Sequence, residues 1–335
     1  MRMFRTYLLC LFTIAIVLVQ CDKPPIIPRK NVYVTGMEFH YYGTDSAYTI
    51  AKLWVNGVAT DLSRKPDMAE PRSIAVSGKD VYVAGTTYSF TKPSRATLWK
   101  NKVATYLGGD DSQAFSVSIS GKDVYVSGSI FINGKIFGVV WKNGVVYYQS
   151  DDYLFFWNIF ASNKDLFSTG SIFVNGKWEQ TVFKNQQPLY QSLSPKTSEL
   201  TSVFVSGNDV YTTGVSDDYV VGNFAYVWKN GVPTRLSTTS ASANDVFVSG
   251  KDVYVTGFST GGCSLWKNGQ LLPMEHSISS EGYSVFVSGK DAYVAGTAFI
   301  EANNYSEVPA LWKNGKLTLL PINSKTGFAT SVCAD

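Results

Sequence analysis

Histidine and cysteine are scarce in this chain, and that scarcity excludes much chemistry. There are 2 His and 4 Cys among 335 residues. A CxxC or mixed Cys/His metal pattern is absent. GK dipeptides recur, but none lies in a GxxxxGK followed by Ser or Thr, which excludes a P-loop. One GxSxG word occurs, at Gly257–Gly261. A nucleophile elbow needs a strand-to-helix turn, whereas both flanks here read as strands. Charged residues are only 16% of the chain. Removing Arg2 and Arg5 from the 29 basic residues leaves 27 against 26 acidic, a balance that does not suggest a nucleic-acid binder. No segment keeps a helical period between caps. In contrast, 20 Tyr, 20 Phe and 28 Gly favour a strand-rich chain.

The N-terminus reads as a targeting segment. Arg2 and Arg5 precede an apolar run, Tyr7 to Val19, that is short for a membrane span. It ends in LVQC, Leu18 to Cys21, which resembles the lipobox of bacterial lipoproteins. Gln20 departs from the small residue usual before the cysteine, and ordinary signal cleavage nearby is the alternative. The resemblance implies lipidation of Cys21, with residues 1–20 as signal peptide and 21–30 as a proline-rich linker. At about 3.1 Å per residue, the spacer DKPPIIPRK reaches roughly 28 Å when extended. Cys10 falls in the signal, leaving Cys263 and Cys333 as two free, buried thiols.

Two words repeat through the rest of the chain. SGKDVYVAG at Ser77 returns as SGKDVYVSG at Ser120, SGNDVYTTG at Ser206, SGKDVYVTG at Ser249 and SGKDAYVAG at Ser288, with a worn copy, SNKDLFSTG, at Ser162. WKNG and its variants place aromatics at Trp54, Trp99, Trp141, Phe183, Trp228, Trp266 and Trp312, a mean spacing of 43 residues. Each unit reads as four strands, a to d, with a GKD turn between a and b and an Asn-Gly hairpin between c and d. Where the first turn lacks Gly, Asn163 replaces it. Four strands in such a unit make a blade of a β-propeller. The expected fold is therefore an all-β, seven-bladed propeller over residues 31–335. NVYVTG at Asn31 has no strand a before it, and the C-terminal GFATSVCAD resembles one. The last strand should therefore pair into blade 1 and close the ring. The chain resembles bacterial exported β-propeller-repeat lipoproteins carrying DVYVTG and WKNG repeats. That resemblance supplies a fold and a cell-envelope location, periplasmic or surface-exposed, and little function.

Strand alternation puts the a–b and c–d turns on one face and the variable b–c and d–a connections on the other. The near-identical turns hold eleven lysines and six aspartates, read as a solvated rim in which Asp helps to hold each turn. An anchored, lysine-rich face turned toward the membrane would leave the variable face pointing away. Binding belongs on loops that vary over a rigid repeat. Residues just before strand a should ring the channel mouth: Arg72, Phe115, Trp157, Thr201, Asn244, Tyr283 and Thr330. The b–c segments add aromatics, including Tyr42, Trp178 and Tyr219, which suit a partly wet recognition surface. His40, His276 and the acidic pair Asp217-Asp218 fall on the same face, as do Asp110-Asp111 and Asp151-Asp152. The candidate ligand-binding set is Arg72, Phe115, Trp157, Tyr283, His40, Tyr42, Trp178, Asp217, Asp218 and Tyr219. No catalytic residue, metal or cofactor is assigned. The expected role is a monomeric, non-catalytic module that binds a protein or glycan partner, with the membrane reached through the lipid. Alternatives are an enzyme acting on extracellular polysaccharide and an envelope assembly scaffold.

Overall fold

A computed structural model describes residues 30–42, 46–162, 165–191, 193, 197–218, 222–275, 279–300 and 306–335. The signal segment, Cys21 and its linker, Asn163, Tyr219 and His276 lie outside these, as do the side chains of Tyr42, Asp217 and Asp218.

Residues Asn31–Asp335 form one compact unit, with 27 strands among the described residues. Blade 1 has β1 (Val32–Tyr42), β2 (Ser46–Val55) and β3 (Val58–Asp61); blade 2 has β4 (Met68–Ser77), β5 (Asp80–Ser89), β6 (Lys92–Lys100) and β7 (Val103–Tyr106). Blade 3 has β8 (Ser112–Ser120), β9 (Asp123–Ile132), β10 (Lys135–Lys142) and the first part of β11 (Val145–Ser162). The rest of β11 starts blade 4, with β12 (Asp165–Val174), β13 (Lys177–Lys184) and β14 (Gln187–Gln191). Blade 5 runs from β15 (Thr197–Ser206) through β16 (Asp209–Asp218) and β17 (Gly222–Lys229) to β18 (Val232–Arg235). Blade 6 has β19 (Ser242–Ser249), β20 (Asp252–Ser259), β21 (Gly262–Lys267) and β22 (Gln270–Leu271). Blade 7 has β23 (Ser280–Ser288), β24 (Asp291–Ile300), β25 (Ser306–Lys313) and β26 (Lys316–Leu319), and β27 (Thr326–Ala334) pairs with β1. The fold is thus a seven-bladed, all-β propeller of antiparallel blades, closed by the C-terminal strand.

The strand-c aromatics hold the blades together. All seven are at most 2% exposed. Each apolar cluster spans neighbouring blades, as Ala84, Ala96 and Leu98 do with Val126, Val139 and Trp141. Some indole N–H groups also cross: Trp99 Nε1 donates to Leu62 O (3.1 Å), and Trp54 Nε1 to Pro321 O (2.8 Å). Cys263 and Cys333 are free and buried, as expected, and burial pushes both thiols up.

The two repeated words form one clamp per blade. The Asn of the c–d turn has φ of 50–52° in all seven blades, and the next residue is also positive, so both central positions of a type I′ hairpin are left-handed. In blade 2, Asn101 Oδ1 accepts the Val81 N–H (2.9 Å) and its Nδ2 donates to Asp80 (2.7 Å). Asp80 also pairs with Lys100 at 2.8 Å. The same Asp–Lys pair recurs in blades 3 to 7 at 2.7–2.8 Å. Hydrogen bonds from Lys and Asn hold these carboxylates below the usual carboxylate range. In blade 1 Asn31 and Asp335 complete the clamp: Asn31 Nδ2 donates to Asp335 (3.0 Å), and Asn56 Nδ2 to Asn31 Oδ1 (2.8 Å). The rim is therefore less basic than a count of lysines suggests, because six of them neutralise the six aspartates.

Three sequence expectations need correction. The seven mouth residues do not precede strand a; they lie inside it, because pairing continues past them. The d–a connection between blades 3 and 4 is no loop. Residues 145–162 contain neither Gly nor Pro to break the run, so β11 continues through 18 residues and takes Asp151 with it. His40 is likewise in a strand, because β1 and β2 pair as far as Tyr42↔Ser46.

Candidate functional site

Every innermost strand carries a β-bulge at the same level. The register skips one residue against the neighbouring strand between Pro71 and Ser73, Ala114 and Ser116, Phe156 and Asn158, Leu200 and Ser202, Ala243 and Asp245, and Gly282 and Ser284. In blade 1 the skipped residue is Thr330, between Ala329 and Ser331. The seven skipped residues are Arg72, Phe115, Trp157, Thr201, Asn244, Tyr283 and Thr330. A bulge re-aims the extra side chain, and all seven line one cavity of about 210 Å³ in the central channel.

A glycine makes each bulge possible. Opposite it stands the last residue of DVYVxG: Gly36, Gly85, Gly128, Gly170, Gly214, Gly257 or Gly296. A Cβ on any of these would lie under 3.0 Å from a main-chain carbonyl oxygen of strand a. Sequence reasoning passed over this residue, although it and the hairpin Asn are identical in all seven units.

The residues after the bulges close the ring by hydrogen bonds. The Ile74 N–H donates to Ser331 Oγ (3.3 Å), Val117 N–H to Ser73 Oγ (3.1 Å), Val203 N–H to Asn158 Oδ1 (3.2 Å), Val285 N–H to Asp245 Oδ2 (2.9 Å) and Val332 N–H to Ser284 Oγ (3.3 Å). The other two junctions use side chains alone, Asn158 Nδ2 to Ser116 Oγ (3.5 Å) and Ser202 Oγ to Asp245 Oδ1 (2.6 Å). Five inner-edge N–H groups, which have no further strand to pair with, are thus satisfied. Burial pushes the Asp245 carboxyl up despite these donors. Two residues further toward the turn face, Phe160, Phe204, Phe247 and Phe286 touch in sequence, with ring centroids 4.6–4.9 Å apart. The cavity therefore has an aromatic layer beneath it on that side.

The bulge residues themselves divide by role. Thr201 Oγ1 donates to Ala243 O (2.8 Å), Asn244 Nδ2 to Gly282 O (2.9 Å) and Thr330 Oγ1 to Pro71 O (2.9 Å), each tying its blade to the next. Arg72, Phe115, Trp157 and Tyr283 are occupied otherwise. Arg72 pairs with Glu70 (3.2 Å) and lies over the Phe115 ring. Five rings run on from there in unbroken contact: Phe115, Trp157, Phe155, Trp178 and Phe173, with successive centroids 4.8–5.4 Å apart. Trp157 is 37% exposed, Trp178 45% and Phe173 40%. Trp157 Nε1 donates to Ser171 Oγ (3.1 Å), which fixes the indole. Across the channel, burial and the charges of Glu281 and Glu307 push the Tyr283 hydroxyl up. Asn244 Nδ2 also donates to Glu281 (2.8 Å).

Of the remaining candidates, Trp178 joins the aromatic ribbon, whereas His40 is not part of the channel lining. His40 stacks on Tyr48 and bonds Glu38 at 2.8 Å. Glu38 is 2% exposed and also holds Lys52, 1% exposed, at 2.8 Å. Burial would raise the Glu38 carboxyl, but bonds from Lys52, His40 and the Asn323 N–H outweigh it and hold the group low. Nothing in the sequence pattern flagged this pair, because the other blades carry no equivalent. Asp110 bonds Arg95 at 2.6 Å away from the mouth. Among the described residues no cluster of three metal-ligating side chains occurs.

No protein-family model matches the chain, and no curated protein does. Solved structures do. The β-propeller domain of the Trilobed protease from Pyrococcus furiosus superposes with a TM-score of 0.55 at 10% identity, over 88% of this chain and 93% of that one. That domain is described as having an open velcro topology, whereas here β27 pairs with β1. The acylaminoacyl peptidase of Pyrococcus horikoshii gives 0.53 at 12% identity, over 87% of this chain and 50% of that one. A puromycin-hydrolyzing peptidase of Mycobacterium tuberculosis gives 0.50 at 11% identity, over 86% and 53%. The chain spans about half the length of these two peptidases. At such identities the likeness shows the fold alone.

Proposed function

We propose that this protein is a non-catalytic binding module, held at a bacterial cell envelope through a lipid on Cys21, that recognises a glycan or protein partner at the mouth of its channel. One observation carries the reading. Of seven equivalent bulge residues, three join blade to blade, and the other four are Arg72 and three aromatics turned to the mouth. Large amphipathic rings on a rigid support are the usual anchors of recognition surfaces. The full chain should bind an envelope polysaccharide or protein fraction saturably, and Trp157→Ala and Tyr283→Ala should each weaken this by about tenfold or more while circular dichroism stays unchanged. No reducing ends or unsaturated sugars should appear. Undiminished binding by both variants would sink the proposal, and product release would make the protein an enzyme.

A further inference from the structure

We infer that the ligand at this mouth is a neutral oligosaccharide bound by one end, its terminal sugar in the channel cavity and its next units along the Trp157–Phe155–Trp178 ribbon. The inference rests on the reading of the mouth as a binding site.

Three features select the ligand. The first is the wall chemistry. At about 210 Å³ the cavity holds about seven waters' worth of liquid. That suits one sugar ring rather than a drug-sized ligand. Its wall carries hydroxyls, amides and a carboxylate, including Ser73, Asn158, Thr201, Asn244 and Asp245, with Trp157 at one side. A sugar has hydroxyls around its rim and apolar C–H faces, and so matches a polar cup with an aromatic edge.

The second feature disfavours a peptide. Extended peptides gain affinity by adding a strand to a sheet edge. At this level the inner-edge N–H groups of Ile74, Val117, Val203, Val285 and Val332 are already given to the neighbouring blades. That occupies one inner-edge N–H in each of five strands, which disfavours pairing of a peptide backbone at this level and leaves recognition to side chains.

The third is charge. Glu281 and Glu307 flank Tyr283, while Arg72 is offset by Glu70 at 3.2 Å. A uronate would meet net negative charge and pay desolvation without a free cation. The ribbon continues from Trp157 to Trp178 in one direction, which orients the chain and makes the cavity its terminus.

The test is titration calorimetry on the full chain. The probes are neutral gluco-, galacto- and manno-oligosaccharides as disaccharides and hexasaccharides, matching oligogalacturonates, and acidic, basic and proline-rich peptides. A neutral hexasaccharide should bind more tightly than its disaccharide. Trp157→Ala should weaken both by about tenfold or more, and Trp157→Phe, which keeps a ring, should retain most of the binding. Trp178→Ala should weaken the hexasaccharide alone. Tighter binding of oligogalacturonate, equal loss of both lengths in Trp178→Ala, or no binding by any sugar of the panel overturns the inference. Binding of peptides alone, lost in Trp157→Ala, overturns it too while leaving the binding module intact. Ligand binding that ignores Trp157 overturns both.

Discussion

Gly170→Ala tests the link between the repeat and the mouth. Gly170 faces the bulge that presents Trp157, and an added Cβ would sit under 3.0 Å from Phe155 O and 3.0 Å from the Phe183 ring. Ordinary C···O contacts are about 3.3–3.6 Å. The oxygen belongs to the main chain, so no rotamer change relieves the overlap. Either β11 and β12 separate locally or the bulge is lost. Overpacking of this kind costs about 1–3 kcal/mol, and the fixed backbone and the buried Phe183 place Gly170 at the upper end. Gly109→Ala is the control, because nothing lies within 4 Å of its Cβ and its φ is not positive. It should stay within about 0.5 kcal/mol of wild type. Urea unfolding followed by tryptophan fluorescence should show a lower midpoint at unchanged slope for Gly170→Ala. Because the bulge aims Trp157, oligosaccharide affinity should fall as well, in native buffer where the variant is still folded. Equal midpoints for the two variants would refute the claim that the DVYVxG glycine exists to admit the bulge.

Two other perturbations follow. In blades 2 and 4 the second residue of the type I′ turn is not glycine, so Lys102 and Gln186 stand at φ of 73° and 66°. Lys102→Gly and Gln186→Gly should each stabilise by about 1 kcal/mol, seen as a higher thermal midpoint; a lower one would mean the turn is unstrained. Glu38→Gln removes one of the two carboxylates on the buried Lys52 and leaves Asp61 at 2.6 Å, so it should cost about 1–3 kcal/mol at neutral pH, whereas Lys52→Met strands the buried Glu38 carboxylate and should cost more, about 3–5 kcal/mol. The Glu38 carboxyl is held low, so its contribution is present above the unfolded value of about 4.3. It is lost as acid protonates it, and the gap between wild type and Glu38→Gln should close below that pH. A gap that persists there would show that charge is not the cause.

The ring was legible in the sequence because its units repeat, and repetition survives local wear. Phe183 replaces Trp and the spacing still holds. The closure was legible because GFATSVCAD lies at the end of a chain whose first unit lacks strand a. The identities of the seven mouth residues were legible from the same register, but their mechanism was not. A bulge adds a residue to one strand and leaves its signature on another, in a glycine 13 positions on in blades 2 to 7 and, in blade 1, far away in sequence, where Thr330 bulges against Gly36. Side-chain patterning along strand a cannot report it. The Glu38–Lys52 pair escaped for a different reason: it occurs in one blade only, and periodicity is blind to what happens once. The ribbon from Trp157 to Phe173 needed the β11–β12–β13 pairing, which brings Phe155 and Trp178 together from strands that the sequence separates.

The two rings of contacts at the mouth explain how four positions can carry a ring or a guanidinium. The layer after the bulge links every neighbouring pair of blades by itself, through five N–H donors and two side-chain bonds. The bonds from Thr201, Asn244 and Thr330 therefore duplicate links that already exist at the 5–6, 6–7 and 1–2 junctions. Where a link is duplicated, losing one copy leaves the inner edge satisfied, so a ring or a guanidinium can replace the polar residue without opening the channel. Such replacements cost more one layer deeper, where a lost acceptor would strand a buried N–H at about 1–3 kcal/mol. Variation is thereby confined to the outermost layer, and Arg72, Phe115, Trp157 and Tyr283 are where this chain used it.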